Sequence, residues 1–145
     1  MAGEIQLNSV SLATESSGTV TLNSSTDIKG CINASGSAPI YACRAWINFD
    51  GTSASIGTGR ASGNVSGVTD HGLGEYTVTF TTAMPDANYA AVKSAAYQGA
   101  NYSADYTGVV SQTTTTFRFY TGYTSNTSNT SVNSDTTHIE VAVFR

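Results

Sequence analysis

Charge is what this chain has least of. Only 11% of its 145 residues are charged, with 6 Lys plus Arg against 10 Asp plus Glu and a net charge of −4. The basic residues stand singly, whereas a surface that grips phosphates needs them clustered, so no nucleic-acid partner is expected. No apolar run approaches the roughly 18 residues of a membrane span. The start, Met1-Ala2-Gly3-Glu4-Ile5-Gln6, has neither a basic n-region nor an apolar h-region, so neither membrane insertion nor a cleaved export signal is expected. Apolar residues nowhere recur at helical spacing, and there are only 2 prolines to interrupt strands. Low charge with 39% hydrophobic and 10% aromatic residues also argues against disorder.

Cysteine is equally scarce. Cys31 and Cys43 cannot make a zinc site alone, and His71 and His138 lie far from them in sequence, so no metal or cofactor is expected. The spacing admits a disulfide closing the loop Ala34-Ser35-Gly36-Ser37-Ala38-Pro39. A chain made in a reducing cytosol would keep both thiols free. Cys43 alternates with Ala45, Ile47 and Phe49, which predicts a buried small hydrophobe.

What remains is a chain rich in Thr, Ser, Val, Tyr and Phe, a composition that fits pleated, half-buried surfaces. Tyr41–Asp50 reads as a strand with Ala45, Ile47 and Phe49 on one face and Arg44, Trp46 and Asn48 on the other. Asp50-Gly51-Thr52 is a turn signal. Arg60–Thr69 reads as a weaker, glycine-broken strand, followed by a turn over Asp70-His71-Gly72-Leu73-Gly74. The clearest alternation places Tyr76, Val78 and Phe80 inward and Thr77, Thr79 and Thr81 outward. Strands over Ala87–Tyr97 (Ala90, Val92, Ser94 and Ala96 on one side), Thr115–Thr121 and Thr137–Arg145 complete the set. The expected fold class is all-β, an antiparallel β-sandwich or jelly-roll-like module over residues 39–145. Before it, residues 1–38 carry aliphatic pairs (Ile5/Leu7, Val10/Leu12, Val20/Leu22) among Ser, Thr, Asn and Gly. That pattern predicts a short extended β segment too thinly apolar to bury a core alone.

Residues with chemical potential are few. Asp70, His71 and Glu75 share a Gly-rich hairpin turn, where a solvated turn is the simpler reading than a general base. Asp70 with Gly72 and Gly74 only faintly echoes a calcium loop. No Gly-x-Ser-x-Gly elbow occurs, and the scattered acids define no carboxylate pair, so the chain is not expected to be an enzyme. Sequons at Asn23, Asn33, Asn64, Asn101, Asn126 and Asn129 follow from Ser/Thr richness. Trp46 is expected to cap a second apolar layer or an intersubunit seam. Tyr97, Tyr102 and Tyr106 punctuate what reads as a polar loop, and Tyr120 and Tyr123 lead into a second one, Thr124–Asp135. Rigid amphipathic rings among Ser, Gly and Asn resemble an adaptable recognition surface. Rings covering sheet edges are the plainer alternative.

Three blocks carry a family resemblance: Arg44–Thr52 (RAWINFDGT), Arg60–Ser66 (RASGNVS) and Asp70–Tyr89 (DHGLGEYTVTFTTAMPDANY). Together with the ending Val141-Ala142-Val143-Phe144, they resemble the C-terminal β-sandwich domain of tailed-bacteriophage fibres and small virion surface proteins. The family often carries a different residue where His71 stands, which weakens a catalytic reading further. The resemblance implies a non-enzymatic virion structural protein, assembled in the host cytoplasm and displayed on the particle. It also implies a homotrimer that contacts other virion proteins, a major capsid or tail protein. Ile5, Leu7, Val10, Leu12, Val20 and Leu22 would then form the docking or oligomerisation segment. The chain opens on its own Met1 and shows no collagen-like or helical shaft, which favours a head decoration (cement) protein. The alternative is a tail-fibre tip whose tyrosines (Tyr97, Tyr102, Tyr106, Tyr120, Tyr123) recognise a host surface glycan.

Overall fold

The computed structural model describes residues 4–7, 10–17, 19–22, 41–96 and 102–145. It is all-β, with no helix among the described residues. The chain divides into two compact units, Met1–Ile40 and Tyr41–Arg145.

In the first unit, β1 (Glu4–Leu7), β2 (Val10–Ser16) and β3 (Thr19–Leu22) form an antiparallel meander in the order β1-β2-β3. Leu7 pairs with Val10 and Ser16 with Thr19 across the two short connections. Ser17 turns the second of them with φ of 55°. Ala13 is buried.

The second unit is a β-sandwich. One sheet has β5 (Ala61–Gly63), β4 (Cys43–Phe49), β12 (His138–Phe144) and β8 (Ala90–Ala96), in that order. The other is built on β10 (Thr116–Ser125). Along one edge of β10 runs β9 (Tyr102–Gln112); the opposite edge is shared by β7 (Glu75–Phe80) and β11 (Ser131–Asn133), with β6 (Val65–Asp70) outside β7. All pairings are antiparallel.

Period-two alternation turns one face of each strand into the space between the sheets. From the first sheet come Ala45, Ile47 and Phe49 of β4 and Ile139, Val141 and Val143 of β12; from the second come Tyr76, Val78 and Phe80 of β7 and Phe117 and Phe119 of β10. Aromatic rings dominate: Phe49 meets Tyr76 edge-on at 5.1 Å, and Phe117 stacks on Phe119 at 5.3 Å. Such pairs add about 0.5–1.5 kcal/mol each beyond the area they bury.

Several expectations require correction. Arg60–Thr69 is not one strand broken by glycine but two strands in different sheets, β5 against β4 and β6 against β7. The break falls at Asn64, whose φ is 55°. Its amide donates to the carbonyls of Arg44 (3.0 Å) and Thr82 (3.1 Å), and its Oδ1 accepts from Thr82 N (2.7 Å), so one side chain ties the two sheets together where the chain crosses. Cys43 is exposed rather than buried. The pairing of β4 with β12 shifts register between Val143 and Phe144, so Cys43 leaves the inward alternation of Ala45 and Ile47. It is a free thiol among the described residues; Cys31 lies outside them. The reading of a polar loop through Tyr102 and Tyr106 also fails, because both sit on β9. Likewise Thr124–Asp135 is a β hairpin, not a bare loop, since Tyr123 and Thr124 pair with Val132 and Ser131.

Candidate binding surfaces

The two outer faces of the sandwich carry Tyr106 and Tyr120 on one side and Trp46 on the other. On the outer face of the β9–β10 pair, Tyr106 stands opposite Gly122 and Tyr120 opposite Gly108. Each ring lies across the glycine facing it. A Cβ at Gly108 would fall 2.0 Å from Tyr120 Cζ, and one at Gly122 would fall 2.6 Å from Tyr106 Cε1. The rings meet edge-on at 5.6 Å, and the Tyr106 hydroxyl donates to Asn133 Oδ1 at 2.5 Å. Burial holds the Tyr106 phenol above its ordinary range. These two tyrosines therefore cover glycine gaps in the sheet, half-buried and fixed.

Of the five tyrosines, Tyr106 and Tyr120 are brought together, on β9 and β10. Tyr120 and Tyr123, three apart on β10, point to opposite faces by strand alternation. Tyr97 and the side chain of Tyr102 lie outside the described residues. The backbone positions of Ile5, Leu7, Val10, Leu12, Val20 and Leu22 lie on β1, β2 and β3, and their side chains are likewise outside.

Asp70, His71 and Glu75 are each engaged separately. Asp70 Oδ1 accepts from Gly72 N at 2.8 Å, closing the turn, where Gly72 and Gly74 have positive φ. His71 Nε2 lies 2.8 Å from Thr77 Oγ1. Glu75 accepts from Arg118 Nε at 2.9 Å, a half-exposed cross-strand pair worth little on its own. Among the described residues no three His, Cys, Asp or Glu side chains cluster as a metal site.

The quoted motif residues hold the fold. In the Met-Pro-Asp-Ala-Asn-Tyr corner, Met84 and Tyr89 are buried, and the Tyr89 hydroxyl donates to Thr116 O at 2.9 Å. Asp86 takes two hydrogen bonds from Arg145, which together with the Asn88 amide hold its carboxyl below the usual range. Arg60 reaches Asp50, Asn48 and the carbonyl of Thr137.

Sequence reasoning set Trp46 apart from Ile47 and Phe49, and the structure puts it on the outer face of the four-stranded sheet, 44% exposed. Register aligns Gly63, Trp46, Ala142 and Val92 in one row across all four strands. The next row is Ala61, Asn48, Glu140 and Ser94, polar from Asn48 onward, and Asn48 Nδ2 donates to Glu140 Oε1 at 2.9 Å. A groove of about 350 Å³ lies over these two rows. Two residues further along the same face, Ala90 and Phe144 line a second hollow of about 460 Å³ with Tyr41, Asn88 and Arg145. Val92 and Tyr41 are 63% and 66% exposed.

No family model, curated protein or solved structure matches this chain. The class defined is therefore that of the fold alone, an antiparallel β-sandwich preceded in the chain by a unit whose described residues form a three-stranded sheet.

Proposed function

We propose that this chain is a non-enzymatic structural protein of a bacteriophage particle, displayed on its surface as a head decoration protein. The observation that carries the reading is how the residues of the phage-like blocks are used. Asn64 clamps the crossing between sheets, Arg60 pins Asp50 and Thr137, Met84 and Tyr89 close the core, and Asp86 anchors Arg145. A block in which Asn64, Arg60, Asp50 and Asp86 tie strands and sheets together is what a display scaffold needs.

Two further facts support it. Among the described residues, every buried side-chain nitrogen and oxygen has a hydrogen-bond partner, so no buried polar group is held idle for chemistry. The described residues of the Met1–Ile40 unit form a meander of 4-, 7- and 4-residue strands. A sheet so small gains stability by laying a face on something else. In the proposed assembly that something is a neighbouring copy or a capsid protein, and a trimer suits the local three-fold positions of a shell.

The test is quantitative mass spectrometry of purified particles of the phage encoding the chain. Hundreds of copies per particle are expected. A few dozen copies or fewer would move the protein to the tail as a fibre tip, and absence from the particle would overturn the virion reading. Light scattering of the purified full chain should give three times the monomer mass.

A further inference from the structure

We infer that the outer face of the β5-β4-β12-β8 sheet is a binding site for a neutral oligosaccharide, with Trp46 and Tyr41 as its stacking rings. The inference rests on this face alone and holds whether the chain belongs to a head, a tail or neither.

Trp46 is held as a fixed wall. A Cβ at Gly63 would meet the indole Nε1 at 2.4 Å and Cδ1 at 2.9 Å, so the ring leans directly on the backbone of β5. Its other side lines the groove, with Ala142 as floor and Val92 as the facing wall. A large apolar ring left 44% exposed but immobilised presents contact area without the entropy cost of ordering it on binding.

Beside the ring stands a pre-set polar row. Arg60 donates to Asn48 Oδ1 at 3.2 Å, and Asn48 donates to Glu140 at 2.9 Å, so the Glu140 carboxylate is oriented before any ligand arrives. A carboxylate has about four acceptor positions, and Asn48 fills one. Ser94 completes the row. An apolar ring face next to oriented hydroxyl acceptors matches a pyranose, whose axial C–H face is apolar and whose rim is hydroxylated. Glu140 and Lys93, opposite in charge, both line the groove, a balance that suits a ligand without net charge. The groove is of the size that holds a small ligand. The second hollow, two residues along and thus about 7 Å away, offers Tyr41, Asn88 and Arg145 for a neighbouring sugar ring.

A protein partner fits this face less well. The apolar surface of this face is two short rows, Trp46, Ala142 and Val92 and then Phe144 and Ala90 beside Tyr41, edged directly by Asn48 and Glu140. Stable interfaces need about 800 Å² from each side.

Trp46 is the one tryptophan of the chain, so its fluorescence reports this site and no other. The full-length protein would be titrated with maltotriose, cellotriose and N-acetylchitotriose while tryptophan emission is followed. A saturable change with at least one of them is expected. Isothermal calorimetry with that sugar should show affinity about tenfold weaker or lost in Trp46→Ala, partly restored in Trp46→Phe, and weakened in Val92→Glu, an exposed change that leaves the core intact. No response to any of the three at tens of millimolar would overturn the proposal. So would an emission shift on dilution of the protein alone, which would mean a second copy covers the groove. Neither result touches the virion reading, because no particle enters the experiment.

Discussion

The hydroxyl of Tyr76 donates to Asp135 Oδ1 at 2.6 Å from a ring that is itself fully buried. The same carboxylate oxygen accepts from Gly74 N at 2.7 Å, so Asp135 holds both β7 and the turn that precedes it. Tyr76→Phe keeps the ring against Phe49 and removes one bond to a charged acceptor. A loss of about 1.5–3 kcal/mol is expected. It would be read as a lower urea midpoint with an unchanged slope.

The same contact makes stability fall in alkali. Burial first, and then the hydrogen bond to Asp135, hold the Tyr76 phenol well above its ordinary value of 10.0. The unfolded chain releases this proton near pH 10 while the folded chain retains it, so the contribution is complete below that pH and declines above it. Urea midpoints between about pH 9 and 11 should drop, and drop less steeply in Tyr76→Phe. Equal slopes for the two proteins would refute this.

At the acid end the sign reverses. Arg145 and the Asn88 amide depress the Asp86 carboxyl, and Thr52 depresses that of Asp50. Both groups favour the folded state when ionised, so their contribution is present above the unfolded carboxylate range and is lost as pH falls below about 4. Asp86→Asn should flatten the acid limb of the stability profile. Because both carboxylates are solvent-accessible, high salt should flatten it as well.

Asn64 should be replaceable by neither alanine nor glycine without loss, and for separable reasons. Asn64→Gly retains the positive φ but forfeits the hydrogen bonds to Arg44 and Thr82, a cost of roughly 1–3 kcal/mol. Asn64→Ala adds left-handed strain of about 1 kcal/mol more. Thermal unfolding of the pair should rank wild type above Gly and Gly above Ala.

Gly122→Ala should be more damaging than Gly108→Ala. At Gly108 the obstructing atoms belong to the Tyr120 side chain, which can swing aside at the loss of its contact with Tyr106. At Gly122 the nearest obstacle is the backbone carbonyl of Val132, 2.2 Å from the added carbon. We expect roughly 1–3 kcal/mol for Gly122→Ala and less for Gly108→Ala, measured by denaturant unfolding.

The strands with strict alternation were legible because alternation is a local property. Ala45, Ile47 and Phe49, Tyr76, Val78 and Phe80, and Phe117 and Phe119 declare their buried face through the residues on either side of them. The strand Tyr102–Gln112 was not legible, since Val109 and Val110 are adjacent and both exposed, and its polar and aromatic residues follow no period of two. It is a strand because it lies along the whole free edge of β10. Of the binding surfaces, the sequence showed Trp46 facing away from the core, but not what would surround it.

Hydrophobicity over a few neighbouring residues was enough to give the class of fold, most strands of the sandwich, and the buried faces of the strictly alternating ones. Assembly of the two sheets was needed before Asn64 could mark a change of sheet, Cys43 emerge at a bulge, and Tyr106 and Tyr120 cover opposing glycines. It alone brought Gly63, Trp46, Ala142 and Val92 into one row. The reason is that register between strands far apart in the chain is fixed by the fit of two whole sheets, and no local stretch of residues contains that information.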